Sequence, residues 1–190
     1  RVRIRGAAAD GKAVVPPPYT PVEADATAVR VWGREYRFDG SFLPAQIVSQ
    51  GEPLLADPPR LRFTVGGRDL PLAGGLALIE TRPEFALYRW TGTVGRIPVR
   101  AETRVEFDGF ITVDLALDAA DTEIERFWVE RPLAAAHTGN YSVGPYYDQQ
   151  RGSDIRPYRH GLPAAGLTGD GFHIGFNHAV WLGSETRGMQ

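Results

Sequence analysis

The sequence predicts an all-β, antiparallel β-sandwich of the galactose-binding or lectin-like kind, with one long irregular insertion. Three observations lead there. Apolar residues recur at period two in short runs, and Gly, Pro and Asp separate those runs. No apolar pattern at i, i+3, i+4, i+7 persists beyond one or two helical turns. The 190 residues, 43% hydrophobic and 23% charged, suit one domain able to bury a real core.

Residues 1–27 hold an apolar start and then Val15-Pro-Pro-Pro-Tyr-Thr-Pro21, which cannot be helix or central strand. They read as an extended strap or linker, with residues 28–190 as the sandwich domain. Ala28–Phe38 is the first expected strand, packing Val29, Val31 and Trp32. Arg60–Val65 sets Leu61, Phe63 and Val65 against Arg60, Arg62 and Thr64, then turns at Gly66-Gly67. Leu76–Glu80 and Glu84–Thr91 follow. Ala101–Leu117 is the clearest hairpin: Val105 and Phe107 lead into Asp108-Gly109, and Ile111, Val113, Leu115 and Leu117 alternate beyond it. Asp-Gly in that setting predicts a type I′ turn, with positive φ at both central residues. Arg104, Glu106, Thr112 and Asp114 mark the wet face. Glu123–Leu133 is a further strand with Ile124, Phe127 and Val129 apolar, and Phe172–Leu182 is the last.

Composition excludes several functions. A net charge of −2 gives no electrostatic case for nucleic acid or an anionic membrane. The twenty arginines against one lysine are scattered among acids, so they form no phosphate-binding patch. No apolar run approaches the roughly 18 residues of a membrane-spanning helix. With no cysteine there is no disulfide, thiolate metal site or thiol nucleophile. Absence of cysteine is compatible with export, and a secreted or periplasmic setting is favoured. The start at Arg1 and the end at Met189-Gln190 both read as cuts, so a fragment of a longer protein is expected.

Chemistry concentrates in the insertion between His137 and Gly171. Its stretch 137–160 carries four of the seven tyrosines, Tyr141, Tyr146, Tyr147 and Tyr158, beside Asn140, Asp148, Gln149, Arg151 and Asp154. Flat aromatic faces stack on sugar C–H groups, while amides, carboxylates and guanidinium groups pair the hydroxyls. An interface flap uses tyrosines in the same way. Trp32, Trp90, Trp128 and Trp181 lie in apolar strand patterns, where core packing is the expectation. Trp32 and Trp181 stand apart because Gly33 and Gly183 follow them near strand ends. The candidate sugar-binding set is therefore Tyr141, Tyr146, Tyr147, Asp148, Arg151 and Trp181.

Catalytic apparatus is not expected. His173 and His178 are close but sit five apart, which places them on opposite faces of a strand, so no metal is expected. Asp148, Asp154, Glu80 and Glu106 could supply a glycosidase carboxylate pair, yet nothing in the sequence pairs any two. The five serines lie outside any nucleophile-elbow pattern, and no glycine-rich loop leads into a helix. No cofactor is implied.

Four stretches carry a family resemblance. They are Val31–Gly51 (VWGREYRFDGSFLPAQIVSQG), Leu54–Phe63, Val105–Leu115 and Phe176–Gln190, the last containing Asn177-His-Ala-Val-Trp-Leu-Gly-Ser-Glu185. The chain resembles the N-terminal β-sandwich region of proteins related to glycoside hydrolase family 123. That resemblance implies a parent in which a (β/α)8 barrel follows as the C-terminal catalytic partner. The barrel would carry an Asp-Glu pair and cleave β-N-acetylgalactosaminides by substrate assistance. No member of that pair falls on these residues. The expected function is a non-catalytic accessory sandwich that supports the barrel, with loop 137–160 lining its cleft and an N-acetylgalactosamine-containing glycan as the carbohydrate partner. The alternative is a stand-alone carbohydrate-binding module, and a complete small hydrolase is the third reading.

Overall fold

The computed structural model describes residues 15–120 and 122–137, with the segments 140–143, 158–161, 180–184 and 188–189. The chain divides into two compact units: Arg1–Pro53 with Asp57–Pro132, and Leu54–Ala56 with Leu133–Gln190. Among the described residues, no helix is long and apolar enough to cross a membrane.

In the first unit the strands form antiparallel sheets packed as a sandwich. The first sheet runs in chain order through β1 (Glu23–Ala24), β2 (Ala28–Val31), β3 (Arg34–Arg37), β4 (Gln46–Ser49) and β5 (Glu52–Pro53). β6 (Arg60–Val65) and β7 (Arg68–Leu70) form a hairpin across Gly66-Gly67. β8 (Leu72–Arg82), β9 (Phe85–Val94), β10 (Ile97–Glu106) and β11 (Ile111–Leu117) then make a meander of long strands. β12 (Arg126–Glu130) closes the unit by pairing with β6, giving the order β12-β6-β7.

One face of the β8–β11 meander is the floor for two apolar clusters. In β10, Ile97, Val99, Ala101, Thr103 and Val105 are buried, while the residues between them are exposed or half-buried. This is the period-two alternation of a strand with one face on the core. Val29, Val31, Tyr36 and Phe38 of the first sheet region pack on Ala86, Tyr88 and Val105. Phe42, Leu43 and Phe63 pack on Trp90, Val94, Val99 and Ala101. Full burial of one such side chain contributes about 2 kcal/mol through apolar area removed from water.

Trp90 is the largest fully buried side chain, and a glycine pair makes its place. Gly74 and Gly92 face each other in the β8–β9 register. A Cβ on either would collide with the Trp90 indole, and at Gly92 also with the Ala73 carbonyl oxygen. Phe42 meets the same indole edge-to-face, with ring centroids 5.5 Å apart.

Three differences from the sequence reading have clear causes. The expected strand Ala28–Phe38 is a hairpin, β2–β3, because Trp32-Gly33 forms a two-residue turn with Gly33 at φ 72°. Trp32 consequently leaves the core and is exposed. The Asp108-Gly109 hairpin is real, yet only Gly109 has positive φ, so its turn is not type I′. The Glu106 carbonyl accepts from Gly109 N–H at 2.9 Å, and Glu106 N–H donates to the Phe110 carbonyl at 2.9 Å, which lengthens the loop. Strand Glu123–Leu133 shortens to β12, an edge strand in which Phe127 and Val129 share one exposed face while Trp128 and Glu130 on the other are half-buried.

The second unit contains β13 (Asn140–Val143), β14 (Tyr158–Gly161), β15 (Val180–Gly183) and β16 (Gly188–Met189), in the antiparallel order β14-β13-β15-β16. A bridge pairs Leu55 with Leu133, Ala134 N–H donates to the Leu54 carbonyl at 2.9 Å, and a 3-10 turn spans Ala135–His137. The stretch expected to be an irregular insertion thus includes two paired strands. Each is four residues long, too short for alternation to register in the sequence. Of the expected strand Phe172–Leu182, only the part from Val180 lies within the described residues.

Replacing Gly92 by Ala forces the Trp90 indole or the β8 backbone to move. We expect Gly92→Ala to cost about 3 kcal/mol of unfolding free energy, read from urea midpoints. Ala77→Gly, an exposed change on β8, should cost well under half of that.

Candidate functional site

At one end of the first unit, aromatic side chains from three segments meet. Trp32 sits in the β2–β3 turn, Tyr19 in the Pro-rich segment before β1, and Phe107 at the end of β10. Tyr19 packs edge-to-face with both, with ring centroids 5.8 Å from Trp32 and 5.2 Å from Phe107. Edge-to-face contacts of this kind hold a ring in one orientation. The strap is anchored beside them: Tyr19 N–H donates to the Pro16 carbonyl at 3.0 Å, and Val22 N–H donates to the Pro83 carbonyl at 2.9 Å. Val22 is buried in the first core cluster.

Polar groups border the aromatics. The Tyr36 hydroxyl donates to the Gly109 carbonyl at 2.7 Å, which brings the β10–β11 turn against β3. A Cβ on Gly109 would fall within 3.3 Å of the Arg34 side chain, so Arg34 crosses over that turn. Burial pushes the Tyr36 phenol up, the Arg34 guanidinium beside it opposes this, and Asp108 adds to the rise. The Asp108 carboxylate accepts from Phe110 N–H at 2.9 Å.

Away from this end, arginines hold the acids. Asp25, Arg30, Glu35 and Arg37 form a chain of ion pairs across β2 and β3, with closest distances of 3.5, 3.4 and 3.2 Å. Hydrogen bonds from Thr27, then burial in opposition, set Asp25 below its usual range; Arg37 does the same for Glu35. Arg62 sits between Asp69 at 3.9 Å and Glu130 at 3.4 Å. The Trp128 indole N–H, donating to Glu130 at 3.1 Å, is the main cause of that carboxyl's lowered pKa. Exposed pairs of this type add little stability each.

The expected sugar-binding set is only partly within the described residues. Tyr141 lies in β13, in register with Leu182 and His160, and Trp181 lies in β15, in register with Ser142. Tyr146, Tyr147, Asp148 and Arg151 lie outside the described residues. Of the tryptophans, Trp90 is buried as expected for core, Trp128 is half-buried, and Trp32 is exposed. His137 is buried, and its Nδ1 has no hydrogen-bond partner among the described residues. No group of three or more His, Asp or Glu among the described residues could hold a metal ion. Sequence reasoning missed Tyr19 and Phe107. The available signal was an isolated tyrosine among prolines, which nothing in a linear reading ties to a turn some ninety positions on.

As a class, then, this is an antiparallel sandwich domain with ion-paired strands and one aromatic end. It belongs to the glycoside hydrolase 123 third-domain family, whose model matches residues 22–190. No curated protein matches the chain.

The buried phenols give a pH prediction. The Tyr88 hydroxyl donates to the Asp25 and Ala28 carbonyls at 2.6 and 3.1 Å, and burial, then the Asp25 charge, push it up to about 12. The folded state therefore keeps this proton more tightly than the unfolded chain, whose tyrosines titrate near pH ~10. Its contribution is complete below that value and disappears as pH rises through the folded-state value. Unfolding free energy should fall across that alkaline interval, and Tyr88→Phe should flatten the fall. Urea titrations over the interval check both.

Proposed function

We propose that the chain is a non-catalytic accessory β-sandwich of a glycoside hydrolase, supporting a (β/α)8 catalytic barrel of the same parent chain. The match to a glycoside hydrolase 123 domain over residues 22–190 carries this reading. The state of the carboxylates supports it. A glycosidase acid needs a carboxyl that holds its proton near neutral pH, hence one shifted upward. Asp25, Glu35 and Glu130 are shifted downward instead, by N–H donors and arginines. Such groups are poor proton donors.

In the same reading, the stretch 137–160 helps to line the barrel's cleft, and the substrate is a glycan containing N-acetylgalactosamine. Tyr141, Tyr146, Tyr147, Asp148, Arg151 and Trp181 are the residues assigned to it, on the chemistry of aromatic stacking with flanking hydroxyl partners.

The decisive experiment pairs the isolated chain with its parent. The 190 residues alone, folded by circular dichroism, should give no turnover of a chromogenic β-N-acetylgalactosaminide. In the parent, Tyr146→Ala should raise KM several-fold while leaving the melting temperature unchanged. Turnover by the isolated chain would sink the accessory reading. An unchanged KM in Tyr146→Ala and Asp148→Ala would remove the loop from the cleft.

A further inference from the structure

We infer that the Trp32 end of the first unit is a second carbohydrate-binding site, in which the Trp32 indole stacks on one pyranose ring of a neutral glycan.

Trp32 is 54% exposed, although burying an indole is among the larger apolar gains a fold can make. Its exposure follows from its position in a two-residue turn that Gly33 closes at φ 72°. The ring is nonetheless held, because it packs edge-to-face with the Tyr19 ring at 82° between planes. Tyr19 is itself fixed by Phe107. A rigid aromatic face costs little conformational entropy when a ligand settles on it, and this is what stacking on sugar C–H groups requires.

The margin of the ring carries unused polar capacity. Neither the Trp32 indole N–H nor the Tyr19 hydroxyl makes a hydrogen bond to any described residue. Arg34, two positions on, forms no ion pair among the described residues; its guanidinium bonds the Tyr36 hydroxyl and has further N–H donors for hydroxyl oxygens. Asp108 stands within electrostatic reach of the same Tyr36 hydroxyl. One cation and one anion at the β10–β11 turn, which follows Phe107, suit an uncharged ligand rich in donors and acceptors. An apolar partner surface would leave these groups desolvated and unpaired, at a cost. On the adjoining turn, Gln50 is held at φ 50° with its N–H on the Gly33 carbonyl at 2.9 Å, so an exposed amide-bearing residue occupies a position where glycine is the easier choice.

The inference rests on the carbohydrate reading of the family match, and is independent of the stretch 137–160. Its test is a titration of the full chain with neutral β-linked gluco-, galacto- and N-acetylgalactosamine-configured oligosaccharides, followed by the indole N–H resonances in NMR. A millimolar ligand should shift the Trp32 resonance. Trp32→Ala should weaken binding about tenfold or more, and Trp32→Tyr should retain most of it. Both Trp32 variants should fold cooperatively, Trp32→Ala losing about a few degrees of melting temperature with its Tyr19 contact. No shift of Trp32 across the panel, or equal affinity in Trp32→Ala, overturns the inference. Binding lost in Tyr146→Ala but kept in Trp32→Ala overturns it too, while leaving the cleft reading intact. Reduced turnover of a small soluble substrate by the Trp32→Ala parent, with no glycan bound, would make this end a domain contact and also end the inference.

Discussion

Three buried hydroxyls, each donating to a main-chain carbonyl across the sandwich, set the relation between its layers. Tyr88 reaches from β9 to the carbonyls of Asp25 and Ala28, Tyr36 reaches from β3 to Gly109, and Thr103 reaches from β10 to Phe42 at 2.6 Å. All three side chains are essentially without solvent contact. Apolar packing alone tolerates sliding, because area is nearly indifferent to small displacements. A buried hydroxyl is not indifferent, since losing its partner leaves an unsatisfied donor and acceptor at about 1–3 kcal/mol. The bonds also run both ways. Two leave the meander, for the β1–β2 turn and for the β3–β4 connection of the first sheet, and one returns to the β10–β11 turn. Sliding that relieved one would break another.

The glycine pair under Trp90 works at right angles to this, through volume instead of polarity. Gly74 and Gly92 lie in the same register pair, and together they admit an indole that any other residue would exclude. Trp90 then supplies the surface against which Phe42 and its neighbours pack. Thr103 donates to the carbonyl of that same Phe42, so the volume constraint and the hydroxyl constraint converge on one residue.

How much of this the sequence disclosed follows from range. Strand identity is local, and β6, β9, β10 and β11 were readable from alternation and from Gly66-Gly67 and Asp108-Gly109. The all-β class came with them. Turn geometry was less readable: Asp-Gly predicted two positive φ values, while the extra loop residues needed only Gly109 to adopt one. Trp32-Gly33 was read as strand because a tryptophan among valines has the pattern of core. Nothing local reveals that β3 folds back on β2. The hydroxyl contacts join residues 60 to 73 positions apart, and only the folded register brings them together. The candidate site divides the same way. Trp32 was marked out by its flanking glycine, whereas Tyr19 and Phe107 became relevant only through the packing of three segments.

The charged surface of the described strands is built on arginine. With a single lysine, every positive side chain that meets an acid in the described strands is a guanidinium, which cannot lose its proton near neutrality. Among these acids, Asp25, Glu35 and Glu130 are held below their usual range, by Thr27, Arg37 and Trp128 first. The β2–β3 strand faces are occupied in this way by Asp25, Arg30, Glu35 and Arg37, up to the turn where Trp32 begins. At that turn Arg34 forms no ion pair among the described residues, its polar contact being with the Tyr36 hydroxyl, and Trp32 and Tyr19 meet through their rings. What distinguishes that end is the exposed indole held against Tyr19, with Tyr19 in turn against Phe107.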